Sequence, residues 1–163
     1  MATPTTAPGI VLLAREELGV VEITRNRAPR IAKYWQATDY PEGEAAREPW
    51  CAAFVAWLVL MVLGPFANRP RSAAVRLWVP AALRLRWLVF GPRDGLYFPR
   101  SGDIVVFTFS HIGIVEGFDG ETVRTIEGNT DDAGGREGTK VCRRRRPLSA
   151  CKSFIRLPEV AKP

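Results

Sequence analysis

An uncharged run of 14 residues, Trp50–Leu63, constrains the fold of this chain more than any other part of its sequence. The run is composed of helix-forming apolar residues, and Pro49 precedes it. Proline is well placed just ahead of the first turn of a helix, because its missing N–H costs little there. A membrane-spanning helix needs about 20 apolar residues, so the run is too short to cross a bilayer. It predicts a central helix that the rest of the chain covers.

Cys51 lies in the first turn of this predicted helix. Unpaired N–H groups and the helix dipole favour a thiolate at that position, and a thiolate is the nucleophile of cysteine hydrolases. The alternative interpretation is that Cys51 is one more small, buried, apolar residue. A catalytic cysteine needs a base, and the chain contains a single histidine, His111. Only His111 is therefore available to activate the thiol.

The sequence around His111 predicts a β-hairpin that brings this residue to Glu127. A three-residue loop at 118–120 suits the turn, because it ends in a glycine that tolerates positive φ. This register places His111 directly opposite Glu127, and Asn129 points to the same face of the sheet. A two-residue loop would put the imidazole and the carboxylate on opposite faces. Since a lone histidine before an apolar strand is more often structural, the catalytic interpretation depends on the three-residue loop.

Four segments of the chain carry these polar residues, and together they resemble the cysteine- and histidine-dependent amidohydrolase/peptidase family, called CHAP. Members of this family are papain-like peptidoglycan hydrolases. Each segment alone is a weak signal, but the set is specific in its order and spacing, and the resemblance covers roughly residues 10–158. The segments are Pro49–Val55, Ser101–Phe107, Ser110–Val115 and Ile126–Asn129.

The resemblance implies a papain-like α+β domain, with N-terminal helices packed on a C-terminal antiparallel half-barrel sheet. It supports Cys51 as the nucleophile, His111 as its base and Glu127 as the residue that orients the imidazole. It also implies that Asn129 is a fourth polar member that helps to position the histidine. Trp50 either packs at the helix start or forms a substrate-binding wall of the cleft. No Asp-rich loop precedes the cysteine, and we expect neither a metal ion nor another cofactor.

Hydrophobic periodicity assigns helices to the first part of the chain and strands to the last. Helices followed by antiparallel strands are typical of an α+β domain. Helices are predicted at 9–19, 30–36 and 50–63, with helical pieces at 72–88 that Pro80 interrupts. Strands are predicted at 104–107, 112–118, 122–126, 139–144 and 153–157.

Length and charge limit the domain organisation and the partners. A chain of 163 residues is sized for one domain, so residues 1–163 are predicted to be a single catalytic domain without a separate wall-binding domain. The net charge of +6 favours attraction to polyanions. The basic run Arg143–Arg146 is interpreted as a solvent-exposed edge strand and turn. Because no aromatic residues interleave with it, we expect wall polymers rather than nucleic acid as its partners.

Residues 1–9 lack the basic and long apolar regions of a signal peptide. We therefore expect a protein that is made in the cytoplasm and reaches the wall after lysis or through a secretion system, with a possible delivery or inhibitor partner. A monomer is also expected. Cys142 and Cys151 could pair across a hairpin, although free thiols are the default for a chain without an export signal.

The predicted function is hydrolysis of an amide in the peptide part of peptidoglycan through an acyl-enzyme, by an endopeptidase or an N-acetylmuramoyl-L-alanine amidase. One alternative is an inert basic module of the same fold that binds wall polymers or nucleic acid. Another is papain-like chemistry on protein substrates. The presence of all four polar residues argues against the inert module.

Overall fold

A computed structural model describes residues 8–135 and 137–159 of the chain. The signal-peptide prediction concerns residues 1–9, of which 1–7 lie outside these ranges. The helices are α1 (Gly9–Glu16), α2 (Pro29–Trp35), α3 (Cys51–Leu63) and α4 (Trp78–Arg84). The strands are β1 (Leu88–Phe90), β2 (Ile104–Phe107), β3 (Ile112–Phe118), β4 (Thr122–Thr130), β5 (Lys140–Pro147) and β6 (Cys151–Arg156).

The strands form one antiparallel sheet in the order β1-β6-β2-β3-β4-β5. Successive side chains of a strand point to opposite faces, and two apolar clusters follow this alternation. One cluster joins the sheet to the helices through residues such as Ile104, Ile114 and Ile126. The other lies on the opposite face and includes Val105 and Phe107. The predicted α+β fold, with N-terminal helices packed on a C-terminal antiparallel sheet, is confirmed.

The uncharged run forms helix α3, as predicted, and its first six residues are all buried. The helix contacts α1, α2, β3 and β4. Close packing on β4 requires a glycine at Gly128, because a Cβ atom there would lie 2.7 Å from Trp50 and 2.9 Å from Phe54. The helix ends at Gly64, which has a φ of 86°. Within the described ranges, no helix combines the length and apolarity that a membrane span requires.

The ends of α1, β5 and β6 differ from the predicted ones by up to three residues, and β5 continues through Arg146 to Pro147. Three further details of the predicted secondary structure need correction. Strand β1, which pairs with β6, was not predicted, although the apolar residues 88–90 directly before a Gly-Pro pair carry its signal. Strand β4 continues past Ile126 to Thr130. Pro80 does not separate two helices but lies in the first turn of α4, where proline is tolerated.

The predicted register of the β3–β4 hairpin is wrong. Phe118 pairs with Val123, and the backbone N–H of Asp119 donates to Thr122 O at 3.3 Å, so the turn is shorter than three residues. A β-bulge at Glu116 then inserts one extra residue into β3.

The bulge preserves the face that the prediction required. Beyond it Ile114 pairs with Ile126, and the same register places Glu127 opposite Gly113 rather than His111. His111 is two residues from Gly113 on β3, so it shares a face with Glu127 and reaches it diagonally.

The three cysteines, all within the described residues, are free thiols. Cys142 lies on β5 and Cys151 on β6, and three strands separate these two in the sheet. The hairpin that could have paired them is therefore not formed.

Candidate active site

Cys51 is the first residue of the 13-residue helix α3 and is 4% exposed. It lines a cleft of about 530 Å³ together with residues of the α2 region, the segment before α3, the loop before α4 and Ser110. No side chain caps the start of the helix. The first-turn N–H groups of a helix have no partner within the helix, so they can receive negative charge beside the sulfur.

His111 is fully buried directly before β3. Ser110 precedes it with a φ of 58°, and the N–H of Phe107 donates to the His111 carbonyl at 2.9 Å, which closes the β2–β3 turn. The imidazole stacks on Phe107 and Phe109, with ring centroids 5.8 Å away in both cases. These contacts hold the plane of the imidazole ring.

The two ring nitrogens of His111 have different surroundings. Nε2 lies 2.8 Å from Oε2 of Glu127. Nδ1 is buried and has no aligned hydrogen-bond partner within the described part of the chain. Burial lowers the pKa of His111, but its interactions with the Cys51 thiol and the Glu127 carboxylate outweigh burial and raise the pKa to about 9. Because the carboxylate occupies the Nε2 side, Nδ1 is the ring nitrogen left for the thiol.

Glu127 is also fully buried, on β4. Its Oε1 accepts a hydrogen bond from Thr125 Oγ1 at 2.6 Å. Arg146 donates to both oxygens, from Nε to Oε1 at 3.0 Å and from Nη2 to Oε2 at 2.7 Å. Burial alone raises the pKa of Glu127, but the hydrogen bonds from His111 and Arg146 overcome it and lower the pKa to about 2.

The space for this carboxylate exists because residue 113 is a glycine. A Cβ atom on Gly113 would lie 2.7 Å from Cγ of Glu127. The carboxylate can therefore cross over Gly113 to reach the imidazole. The structure thus brings Cys51, His111 and Glu127 together, although by a register that differs from the predicted one.

Asn129 lies at an irregularity between β4 and β5 and has a φ of 55°. Its Oδ1 accepts a hydrogen bond from the N–H of Trp50 at 2.7 Å, and its Nδ2 donates to Gly138 O at 2.7 Å. Asn129 was expected to help position His111, and neither of these two bonds reaches the imidazole. Asn129 joins the residue before the cysteine to the sheet.

Trp50 is fully buried, and its indole N–H donates to Glu22 Oε1 at 2.9 Å. Its ring centroid lies 5.8 Å from that of Tyr34. Of the two roles expected for Trp50, the structure supports packing at the helix start. The assignment of Trp50 as a substrate-binding wall does not fit this burial.

Sequence reasoning missed Arg146 and Thr125. Strand β5 is an edge strand, and Arg143 and Arg145 are exposed as predicted, but Arg146 is 9% exposed and faces Glu127. The available signal was strand alternation, which sets Arg146 on the face opposite to that of Arg145. The register of β5 against β4 was also needed to show that this face carries Glu127.

Within residues 8–135 and 137–159, no group of three or more His, Cys, Asp or Glu side chains is arranged to hold a metal ion.

Comparisons with known proteins give a family and a fold. A family model described as the CHAP domain matches residues 33–129, which include Cys51, His111, Glu127 and Asn129. A search of curated proteins gives no match.

Two similar solved structures have the same protein as their subject. "The crystal structure of Ly7917" aligns with a TM-score of 0.56 and 15% identity over 92% of this chain and 61% of that chain. "The crystal structure of Ly7917 with the hydrolyzing product of MDP" aligns with a TM-score of 0.57 and 16% identity over 92% of this chain and 62% of that chain. At this identity the similarity concerns the fold, and the chain spans less than two thirds of each of those chains.

Proposed function

The chain belongs to the CHAP domain family, and from this premise we propose that it is a cysteine peptidoglycan hydrolase that cleaves an amide bond in the peptide part of the bacterial wall. One observation carries the proposal: the only imidazole of the chain lies between a sulfur at a helix N-terminus and the buried carboxylate of Glu127. The similar solved structure of Ly7917 with the hydrolyzing product of MDP supports a substrate of this class.

The first step forms a thioester. His111, whose pKa is raised to about 9, holds the thiol proton, so Cys51 attacks as a thiolate. A carbon–sulfur bond forms, and the electron pair of the carbonyl bond moves to the oxygen. The C–N bond then breaks as the imidazolium gives its proton to the departing amine.

Glu127 fixes the tautomer and the orientation of His111. Nε2–H donates a hydrogen bond to the carboxylate. Nδ1 is then the nitrogen that exchanges a proton with the sulfur and later with the leaving amine. Asn129 acts indirectly, because its bond to the backbone of Trp50 holds the residue that precedes the nucleophile.

The N-terminus of α3 stabilises the negative charge on the oxygen of the tetrahedral intermediate. Uncapped backbone N–H groups of the first turn point toward the cleft end of the helix, next to Cys51. Water then attacks the thioester carbon, His111 accepts the proton of the water, and the carboxylic acid product leaves as the thiolate is restored.

Zymography on purified peptidoglycan tests the proposal. We expect Cys51→Ala to abolish lysis, a loss of about 10⁴-fold or more, because no other nucleophile replaces the thiolate. The matched control is Cys142→Ala, which removes a thiol outside the cleft and leaves lysis unchanged. Circular dichroism of each variant reports folding. Undiminished lysis by folded Cys51→Ala would refute the proposal.

Mass spectrometry of the released muropeptides then distinguishes the two bond classes. An amidase separates the whole stem peptide from its sugar. An endopeptidase leaves the first residues of the peptide attached to the sugar.

A further inference from the structure

We propose that Arg146 is a positioning residue of this active site, which holds the Glu127 carboxylate where it orients His111. The inference rests on the proposed function, since it assumes that His111 serves Cys51. Arg146 lies outside residues 33–129, the segment that matches the family model, so the family similarity does not assign it.

The contact between Arg146 and Glu127 is a bidentate pair. Nε and Nη2 of the guanidinium donate to separate carboxylate oxygens at 3.0 and 2.7 Å. A planar guanidinium fork matches a carboxylate in this geometry and restricts its rotation. Thr125 and His111 supply one further bond to each oxygen. Each carboxylate oxygen therefore has two partners, and Oε2 is held within hydrogen-bond distance of the imidazole.

Arg146 is itself held from two other directions. Its Nη1 donates to Gly134 O at 3.0 Å. Its guanidinium carbon lies 5.4 Å from the ring centroid of Phe107 and 5.1 Å from that of Phe109. Both rings also stack on the imidazole of His111. Arg146 thus contacts the carboxylate and the two rings that together determine where the imidazole lies.

The charge of Arg146 has a second consequence. Glu127 is fully buried, and burial of an unpaired carboxylate favours its protonated form. A protonated Glu127 would be a poorer acceptor for the Nε2 proton of His111. The guanidinium therefore keeps the acceptor charged at pH values where burial alone would neutralise it.

The test measures the second-order rate constant for alkylation of Cys51 by iodoacetamide across pH, together with kcat/KM for peptidoglycan hydrolysis. The variant Arg146→Lys retains a charge but loses the fork, and Arg146→Met loses both. The matched control is Arg145→Lys, since Arg145 is exposed on the same strand. We expect Arg146→Lys to lower both rates by about tenfold, Arg146→Met by about a hundredfold, and Arg145→Lys to change neither.

Two readouts distinguish positioning from a merely structural role. The acid limb of the alkylation profile moves to higher pH in Arg146→Met, because Glu127 then protonates more readily. In a Glu127→Gln background, Arg146→Lys causes no further loss, because its effect passes through the carboxylate. Circular dichroism reports folding, and if Arg146→Met does not fold, the Arg146→Lys rates and this double variant decide.

The outcomes separate the two proposals. If Cys51 of the parent protein reacts no faster than Cys142 and Cys151, the proposed function is wrong and this inference falls with it. If Cys51 reacts fast and folded Arg146→Lys keeps the parent rates and acid limb, only the role of Arg146 is wrong. An additive loss in the Glu127→Gln background also overturns it.

Discussion

Two buried glutamates, Glu17 and Glu127, have nearly the same chemical surroundings. Each accepts hydrogen bonds from Nε and Nη2 of one arginine and from a hydroxyl group. For Glu17 the donors are Arg30 and Tyr34. In both cases burial raises the pKa of the carboxyl, and the hydrogen bonds overcome it and lower the pKa below the usual range.

The similarity extends to the arginines. The guanidinium carbon of Arg30 lies 5.2 Å from the ring centroid of Trp57, as Arg146 lies over its two phenylalanine rings. Both carboxylates are therefore buried and paired with an arginine that lies beside aromatic rings, but the Arg30 side chain is 41% exposed and that of Arg146 only 10%. Such pairs are weak evidence for stability, because desolvation offsets much of their attraction.

The difference is the third partner. Among the described residues, the donors to Glu17 are Arg30 and Tyr34, both of which lie on α2, so this carboxylate joins the end of α1 to α2. Glu127 has a comparable pair of donors and also contacts His111, an imidazole that interacts with a thiol. A lowered carboxylate pKa therefore does not identify a catalytic residue by itself. The carboxylate must also contact a base that interacts with a nucleophile.

The matched pair Glu127→Gln and Glu17→Gln gives the largest expected contrast. Each change leaves an arginine donor facing an amide and lowers the free energy of unfolding, by about 3–5 kcal/mol at the buried Glu127–Arg146 pair. The loss is smaller at Glu17, because the Arg30 side chain is 41% exposed. Glu127→Gln also lowers kcat by about 10²- to 10⁴-fold, because the imidazole loses its orienting acceptor. Glu17→Gln leaves kcat within about twofold. Urea unfolding and hydrolysis rates measure both quantities, and an equal loss of kcat in the two variants would remove the distinction.

Titration of the single histidine gives the next largest effect. NMR of the imidazole in the parent protein should give a midpoint near 9, because the thiol and the carboxylate stabilise the protonated ring against burial. Glu127→Gln and Cys51→Ala each remove one of these causes and lower the midpoint, whereas Glu17→Gln leaves it in place.

The same shift makes stability depend on pH. A pKa raised above its ordinary value of 6.5 stabilises the folded protein fully below about pH 6.5. That contribution is lost as the pH rises through about 9. A midpoint at or below 6.5 in the parent protein would contradict the interaction of His111 with Cys51 and Glu127.

Removal of the hydroxyl groups gives the smallest expected effect. Thr125→Val and Tyr34→Phe each delete one hydrogen bond to a buried carboxylate and should lower the free energy of unfolding by about 1.5–3 kcal/mol. Only Thr125→Val should also lower kcat, by about threefold, since it removes one of several bonds that hold Glu127. A loss of kcat in Tyr34→Phe would show that the α1–α2 contact also affects the site.

The hairpin shows how a predicted contact can be correct although the predicted register is wrong. The sequence favoured a direct pairing of His111 with Glu127 through a three-residue loop. The structure reaches the same contact with a shorter turn and a bulge at Glu116, and it uses Gly113 to leave room for the carboxylate. Periodicity constrained the face on which each side chain lies, and it did not resolve the register.

The sequence by itself determined the central helix with a cysteine at its start, most of the strands, and the contact between His111 and Glu127. These features follow from local periodicity, from turn residues, and from the presence of one histidine. Tertiary structure decided that Asn129 bonds to Trp50 and that Trp50 is buried. It also decided that Arg146 is buried against Glu127 while its neighbour Arg145 is exposed. The physical reason is that bulges and strand order select the neighbours of a side chain, and these depend on contacts between residues far apart in the chain.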